Sequence, residues 1–436
     1  MSFTDPVSSF ADRFELGSKS WVEAAGQYLQ SRHSDLALNG KTYTFGSLWH
    51  DTPPHLGFDG ADGGWSATCD SSGVTVQCGP PNPDSLDLCA VGDYNAAIPV
   101  ATTVYGEDPT IGARAQRESQ HRAGAGHLQM RGSMPDQPFA QIMGELHDHL
   151  ARRTIDNVDI GHRINHLGLE RHATALLKDG YTILERAISE EFADEMAAEI
   201  HRVHDENPGA PGFRANLLLE RGRLFEEAAQ HPFVMTLVES LIGRGCLMFQ
   251  SNCIRKEPGM ETHQLHADYL GIPEPFPEYP LEVTSIWALE DWTLDAGPTV
   301  FVPGSFSEKR RPIGNEVDAA VPLLMPKGSI ALWDGATWHS ASPRTKPGRR
   351  VSLHNAYSRL EMRTVDHYLD IDPAIVGRNP PRFSSLCGLD DFYSRNAHTG
   401  PDFDRMRATM GAGYGSSELP AGPPELPEIA VTATSG

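Results

Sequence analysis

The chain has 436 residues, with 36 basic and 58 acidic side chains and a formal net charge of −22. Binding to phosphate backbones or anionic membranes needs clustered Lys and Arg, so this charge argues against nucleic acid and membrane surfaces as partners. The 41 glycines and 33 prolines predict many turns and short strands, and they argue against a helical bundle.

The N-terminal residues and the cysteines indicate the cellular compartment. Residues 1–6 contain no basic head before an apolar stretch, so no signal peptide is expected. No run approaches the roughly 18–20 apolar residues of a membrane helix. The six cysteines include no CxxC pair, which favours reduced thiols over a disulfide framework or a cysteine-based zinc site. We expect a cytoplasmic protein, with its oligomeric state open.

The first third of the chain differs in composition from the rest. Turns dense in Gly, Pro and Asp surround two short apolar runs, 65–69 and 74–78, which predict a hairpin. A helix is predicted at 93–103. We treat residues 1–160 as an extra domain or extension of unknown role.

Helix and strand signals sharpen after residue 160. A helix is predicted at 169–177 and a strand at 180–184, and Ser189 is placed to cap the next helix. The apolar stripe of that helix has helical spacing and consists of Phe192, Met196, Ile200 and Val203. The run 207–209, Asn-Pro-Gly, is expected to end the helix. The stripe is interpreted as core packing.

Short strands at near-regular spacing dominate the next hundred residues. They are predicted at 247–254, 283–289, 299–302, 329–333 and 350–357. This pattern is typical of an antiparallel sandwich or jelly roll. We therefore expect a mainly β protein with flanking helices, an α+β class, in which a core domain occupies 161–410. The tail 411–436 has few bulky apolar residues and is expected to be disordered.

The candidate chemistry lies in a His-x-Asp pair, His266 and Asp268, with His339 73 residues further on. Residues at i and i+2 of a strand share a face, so the pair can bind one ion and the distant histidine can complete three ligands. Two histidines and a carboxylate on one face of an octahedron leave open positions, as in non-haem Fe(II) oxygenases. The tripeptide alone arises by chance, and residues 33–35 supply such a decoy.

The His266–Asp268 pair lies within an ordered series of motifs along the chain. They are Phe213-Arg214, KEPG at 256–259, WALED at 287–291, DAGPTVFVPGS at 295–305, KGSIALWDG at 327–335 and the WHS around His339. The set resembles the phytanoyl-CoA dioxygenase family of iron- and 2-oxoglutarate-dependent oxygenases, over about residues 165–365. Two positions depart from the family pattern, Ala341 in place of Ser and Phe306 in place of His.

The resemblance implies a fold and a ligand set. The core would be a double-stranded β-helix, a cupin-like jelly roll, in which His266, Asp268 and His339 hold Fe(II). Arg350 would bind the distal carboxylate of 2-oxoglutarate, and Ser352 on the same strand face would add a hydrogen bond. A carboxylate needs two parallel donors, which the arginine fork supplies.

The resemblance also implies two residues of the cosubstrate pocket and a reaction. Trp287 and Met248 would line the cosubstrate pocket. Dioxygen and 2-oxoglutarate would be consumed, succinate and CO2 released, and a small organic or lipid-like substrate hydroxylated. Asp268 itself favours hydroxylation, since related halogenases carry a small residue there to make room for chloride.

Other interpretations remain open on the sequence alone. A non-catalytic jelly-roll protein could keep the pocket for binding or sensing, although loss of a ligand or of Arg350 would then be expected. A zinc hydrolase would have no use for Arg350. His162 and His166, at helical i, i+4 spacing, and the pair His147 and His149 are interpreted as ordinary surface or capping residues. The basic run 309–311 is interpreted as a solvated loop, with contact to an anionic substrate such as a CoA thioester as its alternative.

Overall fold

The computed structural model describes residues 13–106, 109–123, 128–206, 214–260 and 262–390. Over these residues the protein is α+β, with antiparallel and mixed sheets and flanking helices. The expected disordered tail at 411–436 and the expected helix stop at 207–209 lie outside the described residues. None of the described helices is long and apolar enough to cross a membrane.

The elements are numbered in chain order. The strands are β1 (Phe14–Glu15), β2 (Tyr43–His50), β3 (Gly63–Asp70), β4 (Gly73–Cys78), β5 (Leu88–Asp93), β6 (Leu128–Gly132), β7 (Thr154–Ile155), β8 (Tyr181–Leu184), β9 (Arg214–Asn216), β10 (Leu247–Lys256), β11 (Glu282–Ala288), β12 (Thr299–Phe301), β13 (Val321–Pro322), β14 (Ile330–Asp334), β15 (His339–Ala341) and β16 (Arg350–Ser358). The α-helices are α1 (Lys19–Ser31), α2 (Tyr94–Ala101), α3 (Pro109–Ala123), α4 (Phe139–Ala151), α5 (Ile160–His166), α6 (Glu170–Asp179), α7 (Glu190–Glu206), α8 (Arg223–Ala229), α9 (Pro232–Ile242), α10 (Pro373–Gly377) and α11 (Pro381–Leu386).

The first third forms a five-stranded sheet in the order β4-β3-β2-β5-β6. The predicted hairpin is confirmed, because β3 and β4 pair antiparallel with Asp70 opposite Gly73. The predicted helix at 93–103 is α2, and Asp93 caps it by accepting a hydrogen bond from the backbone N–H of Ala96. A buried aromatic cluster, including Trp21, lies between this sheet and helices α1 and α4.

The second part is organised by a six-stranded antiparallel sheet in the order β8-β14-β11-β16-β10-β9. All five strands predicted between 247 and 357 are present. Four of them, β10, β11, β14 and β16, belong to this sheet, and the fifth, β12, belongs to a three-stranded sheet. Its outer face packs on helices, among them α7, whose predicted apolar stripe is buried. The Ser189 hydroxyl caps α7 through a hydrogen bond of 3.0 Å from the backbone N–H of Phe192.

The inner face of the six-stranded sheet meets a three-stranded sheet, β13-β12-β15. Side chains of both sheets share one apolar cluster, for example Ile286 of β11, Trp333 of β14 and Phe301 of β12. The two sheets therefore face each other. The apolar cluster fills part of the space between them, and the candidate site occupies the rest.

Polar contacts connect the first third to the second part. Arg114 of α3 donates two hydrogen bonds, of 2.8 and 2.7 Å, to the carboxylate of Glu227 of α8. Glu118 of α3 accepts a hydrogen bond of 3.0 Å from the backbone N–H of Ser189. The two parts have separate apolar clusters. The buried residues of one cluster end at Leu150, and those of the other begin at Leu169. The domain boundaries at 160 and 410 stay predictions.

Candidate metal centre and cosubstrate pocket

Three side chains with metal-binding atoms converge between the two sheets. His339 begins β15, and His266 joins it through an isolated bridge with backbone hydrogen bonds of 2.9 and 2.8 Å. The strand expected around His266 is therefore only this bridge within a loop. Oδ1 of Asp268 lies 3.8 Å from Nε2 of His266 and 3.5 Å from Nε2 of His339.

Each imidazole is oriented by its other nitrogen. Nδ1 of His266 lies 2.8 Å from the carbonyl oxygen of Gln264, and Nδ1 of His339 lies 3.0 Å from that of Thr337. A carbonyl can only accept, so both Nδ1 atoms carry the proton and both Nε2 atoms keep their lone pairs for the shared point. Burial lowers the pKa of His339, which further favours the neutral ligand form.

The carboxylate of Asp268 is held by its second oxygen. The indole Nε1 of Trp333 donates to Oδ2 at 2.9 Å, and the hydroxyl of Thr284 donates to the same atom at 3.3 Å. Oδ1 is thereby turned to the two imidazoles. All three ligand atoms lie within 4.8 Å of one another.

This donor set suits a first-row transition metal. Two neutral imidazoles and one carboxylate on one side of an ion leave positions for other ligands, which is the pattern of non-haem Fe(II) sites. The hydrogen bonds to both imidazoles and to the carboxylate provide the outer support that such ligands ordinarily have. The residues present therefore fit Fe(II).

A cavity of about 140 Å³ adjoins the three residues, and Arg350 is part of its wall. The Arg350 guanidinium donates one hydrogen bond, of 2.9 Å, to the carbonyl oxygen of Gly297 and lies 4.0 Å from the ring centre of Trp292. Its Nε is buried without a partner among the described residues. Burial lowers the pKa of Arg350 to about 10, so the side chain stays charged at neutral pH.

Lys256 places a second cation beside Arg350. Its ammonium group donates to the carbonyl oxygens of Gly297, at 3.2 Å, and of Ser342. The two cations therefore share the Gly297 oxygen. Burial, together with Arg350, lowers the pKa of Lys256 to about 8. Neither cation forms an ion pair with a carboxylate of the described residues, so this end of the cavity is suited to a carboxylate ligand.

The structure corrects two of the predicted pocket residues. Trp287 lies on the outer face of β11, where it packs against His231 with ring centres 5.4 Å apart. Met248 also faces the helices, because the register of β10 shifts between Met248 and Gln250 and reverses the alternation of the strand. Neither side chain lines the cavity.

Ser352 shares the strand face of Arg350, as predicted, but its hydroxyl lies 3.2 Å from Nε2 of His354. His354, and not Ser352, forms part of the cavity wall. Burial lowers the pKa of His354 well below its ordinary value, so its imidazole is neutral. Arg349, immediately before β16, is exposed, whereas Arg350 is buried.

Several wall residues were not named from the sequence as site residues. Lys256 and Arg214 belong to motifs that resemble the family. Membership of these motifs was the sequence signal that could have identified them as site residues. His354 was not named from the sequence, because only the depth of β16 brings it to the cavity wall. Trp292 does not line the cavity, and it acts on the site only through its contact with Arg350.

The remaining sequence candidates have ordinary partners. The basic run 309–311 forms ion pairs with acidic neighbours, and Arg310 lies over the ring of Trp338. Nε2 of His147, on α4, lies 3.1 Å from the carbonyl oxygen of Thr103. His162 bonds to Asn side chains. The decoy at 33–35 is a short 3₁₀ turn.

Comparison with known proteins gives matches that cover part of the chain. The family model of phytanoyl-CoA dioxygenase matches residues 176–351, which include the three converging residues and Arg350. An uncharacterized protein of Mycobacterium tuberculosis is 22% identical over 257 residues, 52% of this chain and 93% of that protein. Dioxygenase af480 of Aspergillus fumigatus is 30% identical over 168 residues, 37% of this chain and 53% of that protein.

Solved structures of 2-oxoglutarate-dependent proteins are also similar. The crystal structure of HygX from Streptomyces hygroscopicus, with nickel and 2-oxoglutarate bound, has a TM-score of 0.40 and 14% sequence identity. The similarity covers 45% of this chain and 90% of that one. The resemblance seen in the sequence is confirmed by the family model at residues 176–351.

Proposed function

We propose that this chain is a non-haem Fe(II)- and 2-oxoglutarate-dependent dioxygenase that hydroxylates a small organic substrate. One observation carries the proposal. Three metal-binding atoms converge within 4.8 Å at a cavity whose wall also holds Arg350, a buried cation whose Nε has no partner among the described residues. A metal site alone does not call for this cation, whereas a cosubstrate with a distal carboxylate does.

The two facing sheets would form the double-stranded β-helix of the cupin-like jelly roll. This is supported by their shared apolar cluster and by the antiparallel order of the larger sheet. In that arrangement β15 and the loop before β11 bring His339, His266 and Asp268 to one point. The adjacent β16 supplies Arg350 from the opposite sheet.

Each protein group has a defined part in this activity. His266, Asp268 and His339 would hold Fe(II), which supplies the reaction with dioxygen when bound. Arg350 and Lys256 would bind the distal carboxylate of 2-oxoglutarate through charge-assisted hydrogen bonds. Trp333 and Thr284 keep Asp268 in place, because rigid support of a ligand preserves the geometry that the chemistry needs.

Binding of Fe(II) and turnover of 2-oxoglutarate test the proposal. We expect one Fe(II) per chain, a visible charge-transfer absorption on anaerobic addition of 2-oxoglutarate, and slow succinate release in air even without substrate. Asp268→Ala should lose the iron, the absorption and the succinate together. If Asp268→Ala releases succinate at the native rate, the metal assignment is wrong.

The same experiment separates the alternatives. A non-catalytic binding protein would show the absorption but no succinate. A zinc hydrolase would retain Zn(II) and gain nothing from 2-oxoglutarate. A screen of small organic compounds for faster succinate release would then identify the substrate class.

A further inference from the structure

A second cavity, of about 110 Å³, lies between the first third of the chain and the helical layer. Its wall is built from α2 and α3 on one side and from α7, α8, α9 and α11 on the other. It shares no lining residue with the candidate active site. A smaller cavity of about 40 Å³ shares Pro99, Asp156 and Gln230 with it. The space is therefore comparable in size to the cosubstrate pocket.

Buried polar atoms without partners collect at this cavity. Among the described residues, they include Nε of Arg223, Oε1 of Gln230 and Nε of Arg382, all from lining residues. Buried polar atoms are ordinarily hydrogen-bonded, and the exceptions need an explanation. The candidate active site has the same property at Nε of Arg350, where the cosubstrate explains it.

Among the described residues, three carboxylates and three arginines line the cavity, and each carboxylate already has partners. Glu118 accepts hydrogen bonds from the backbone and hydroxyl of Ser189 and pairs with Arg117. Glu227 pairs with Arg114, and Asp156 pairs with Arg382. Arg122, near the end of α3, has no hydrogen bond or ion pair to any described residue, although it lines the cavity.

The side chain of Arg122 is charged at neutral pH. Burial lowers its pKa only to about 10. Arg122 is only partly exposed, and a charge largely removed from water without a directly paired counterion is costly, so an anion in the cavity would stabilise this arrangement. Water would satisfy the hydrogen bonds, but the charge of Arg122 would then be offset only by its attraction to Glu118, without an ion pair.

We propose that this cavity binds a small organic carboxylate that also carries a hydrogen-bond donor. The carboxylate would take hydrogen bonds from Arg122 and from the free Nε atoms of Arg223 and Arg382. The donor, a hydroxyl or an ammonium group, would bond to Oε1 of Gln230. Since residues of both parts of the chain form the wall, occupancy would also stabilise their association.

Calorimetric titration of the full chain with L-lactate tests the site, because lactate has both a carboxylate and a hydroxyl group. We expect binding of one lactate that Arg122→Met weakens by at least about tenfold, as loss of a desolvated charge partner predicts. The matched control is Arg117→Met on the same helix, whose side chain pairs with Glu195 and Glu118 and does not itself line the cavity. It should change the affinity less than about twofold.

Two further arms locate the bound molecule and keep the test open if Arg122→Met fails to fold. Arg350→Met should leave lactate binding unchanged, whereas loss of binding in this variant would place lactate in the active site and overturn the proposal. Propionate, which lacks the hydroxyl, should bind more weakly than lactate, and Gln230→Leu should abolish that difference. No binding of lactate to the native chain, or equal binding to Arg122→Met, would also overturn it.

Discussion

The indole Nε1 of Trp333 donates a hydrogen bond of 2.9 Å to Oδ2 of Asp268, while Oδ1 of the same carboxylate lies 3.5 Å from Nε2 of His339. One oxygen is therefore fixed by the protein and the other is presented to the metal position. Trp333 belongs to the apolar cluster between the two sheets, so the packing of the fold sets the orientation of a metal ligand.

This relationship predicts the effect of Trp333→Phe. The variant keeps an aromatic ring in the cluster but removes the donor, so Asp268 should rotate more freely. Loss of an outer partner of this kind ordinarily costs about 10- to 100-fold in metal affinity. We expect that loss in a competition titration with Fe(II) under anaerobic conditions.

Trp338→Phe is the control for Trp333→Phe. Nε1 of Trp338 donates to the carbonyl oxygen of Arg310 and not to a ligand residue. Its removal should change iron affinity by less than about threefold. Equal losses from the two variants would contradict a specific role of the hydrogen bond to Asp268.

Replacement of Arg350 should affect the cosubstrate and spare the metal. Removal of one partner from a buried charge pair costs about 2–5 kcal/mol, or about 30- to 3,000-fold in affinity. Arg350→Ala should therefore raise the 2-oxoglutarate requirement by that factor in the succinate assay and leave the Fe(II) affinity nearly unchanged. Arg350→Lys should restore only part of the loss, because lysine lacks the two-pronged geometry.

The neighbouring Arg349 provides the matched control. It has the same side chain, one residue earlier, and it is exposed. Arg349→Ala should alter the 2-oxoglutarate requirement by less than about twofold. A loss as large as that of Arg350→Ala would mean that the strand face does not decide which arginine binds the cosubstrate.

The lowered pKa of Lys256 predicts a pH dependence. Below its pKa of about 8, the ammonium group is charged and favours a dianionic cosubstrate. Above that pH the free enzyme loses the charge, and the affinity for 2-oxoglutarate should fall by up to about tenfold per pH unit. The apparent 2-oxoglutarate KM, measured between pH 7 and 9.5, checks this rise.

Lys256→Met separates this effect from others in the same pH range. Its affinity should be lower at pH 7 and nearly independent of pH up to 9.5, since the pKa of Arg350 is about 10. A native pH dependence in Lys256→Met would show that another group titrates.

Two buried tryptophans should respond differently to the same substitution. Trp292 lies 4.0 Å from the Arg350 guanidinium, and a desolvated cation–π contact is worth about 1–2 kcal/mol, or about 5- to 30-fold in affinity. Trp292→Leu should raise the 2-oxoglutarate KM by that factor. Trp287→Leu should lower the free energy of unfolding by about 2–4 kcal/mol and leave KM within about twofold, because Trp287 faces the helices.

Thermal unfolding and the succinate assay measure the two effects. If Trp287→Leu raises KM as much as Trp292→Leu does, the outer face of β11 takes part in cosubstrate binding. The placement of Trp287 away from the cavity would then be wrong.

The sequence by itself determined the elements and the ligand types. Alternating and helical periodicities predicted the hairpin of β3 and β4, the stripe of α7 and the strands of the six-stranded sheet, because these signals are local. The three candidate ligands and Arg350 were found from motifs that resemble the family, whereas the strand expected around His266 is only a single bridge to His339.

The tertiary structure decided which face of each strand meets the cavity. Met248 was misplaced because a register shift in β10 reverses the alternation after it, and Trp287 was misplaced because its parity on β11 directs it to the helices. Both assignments depend on pairing between strands that are distant in sequence. The stacking of Trp292 on Arg350 and the position of Arg122 at a cavity between α3 and α11 arise in the same way, since contacts across layers leave no periodic trace in the chain.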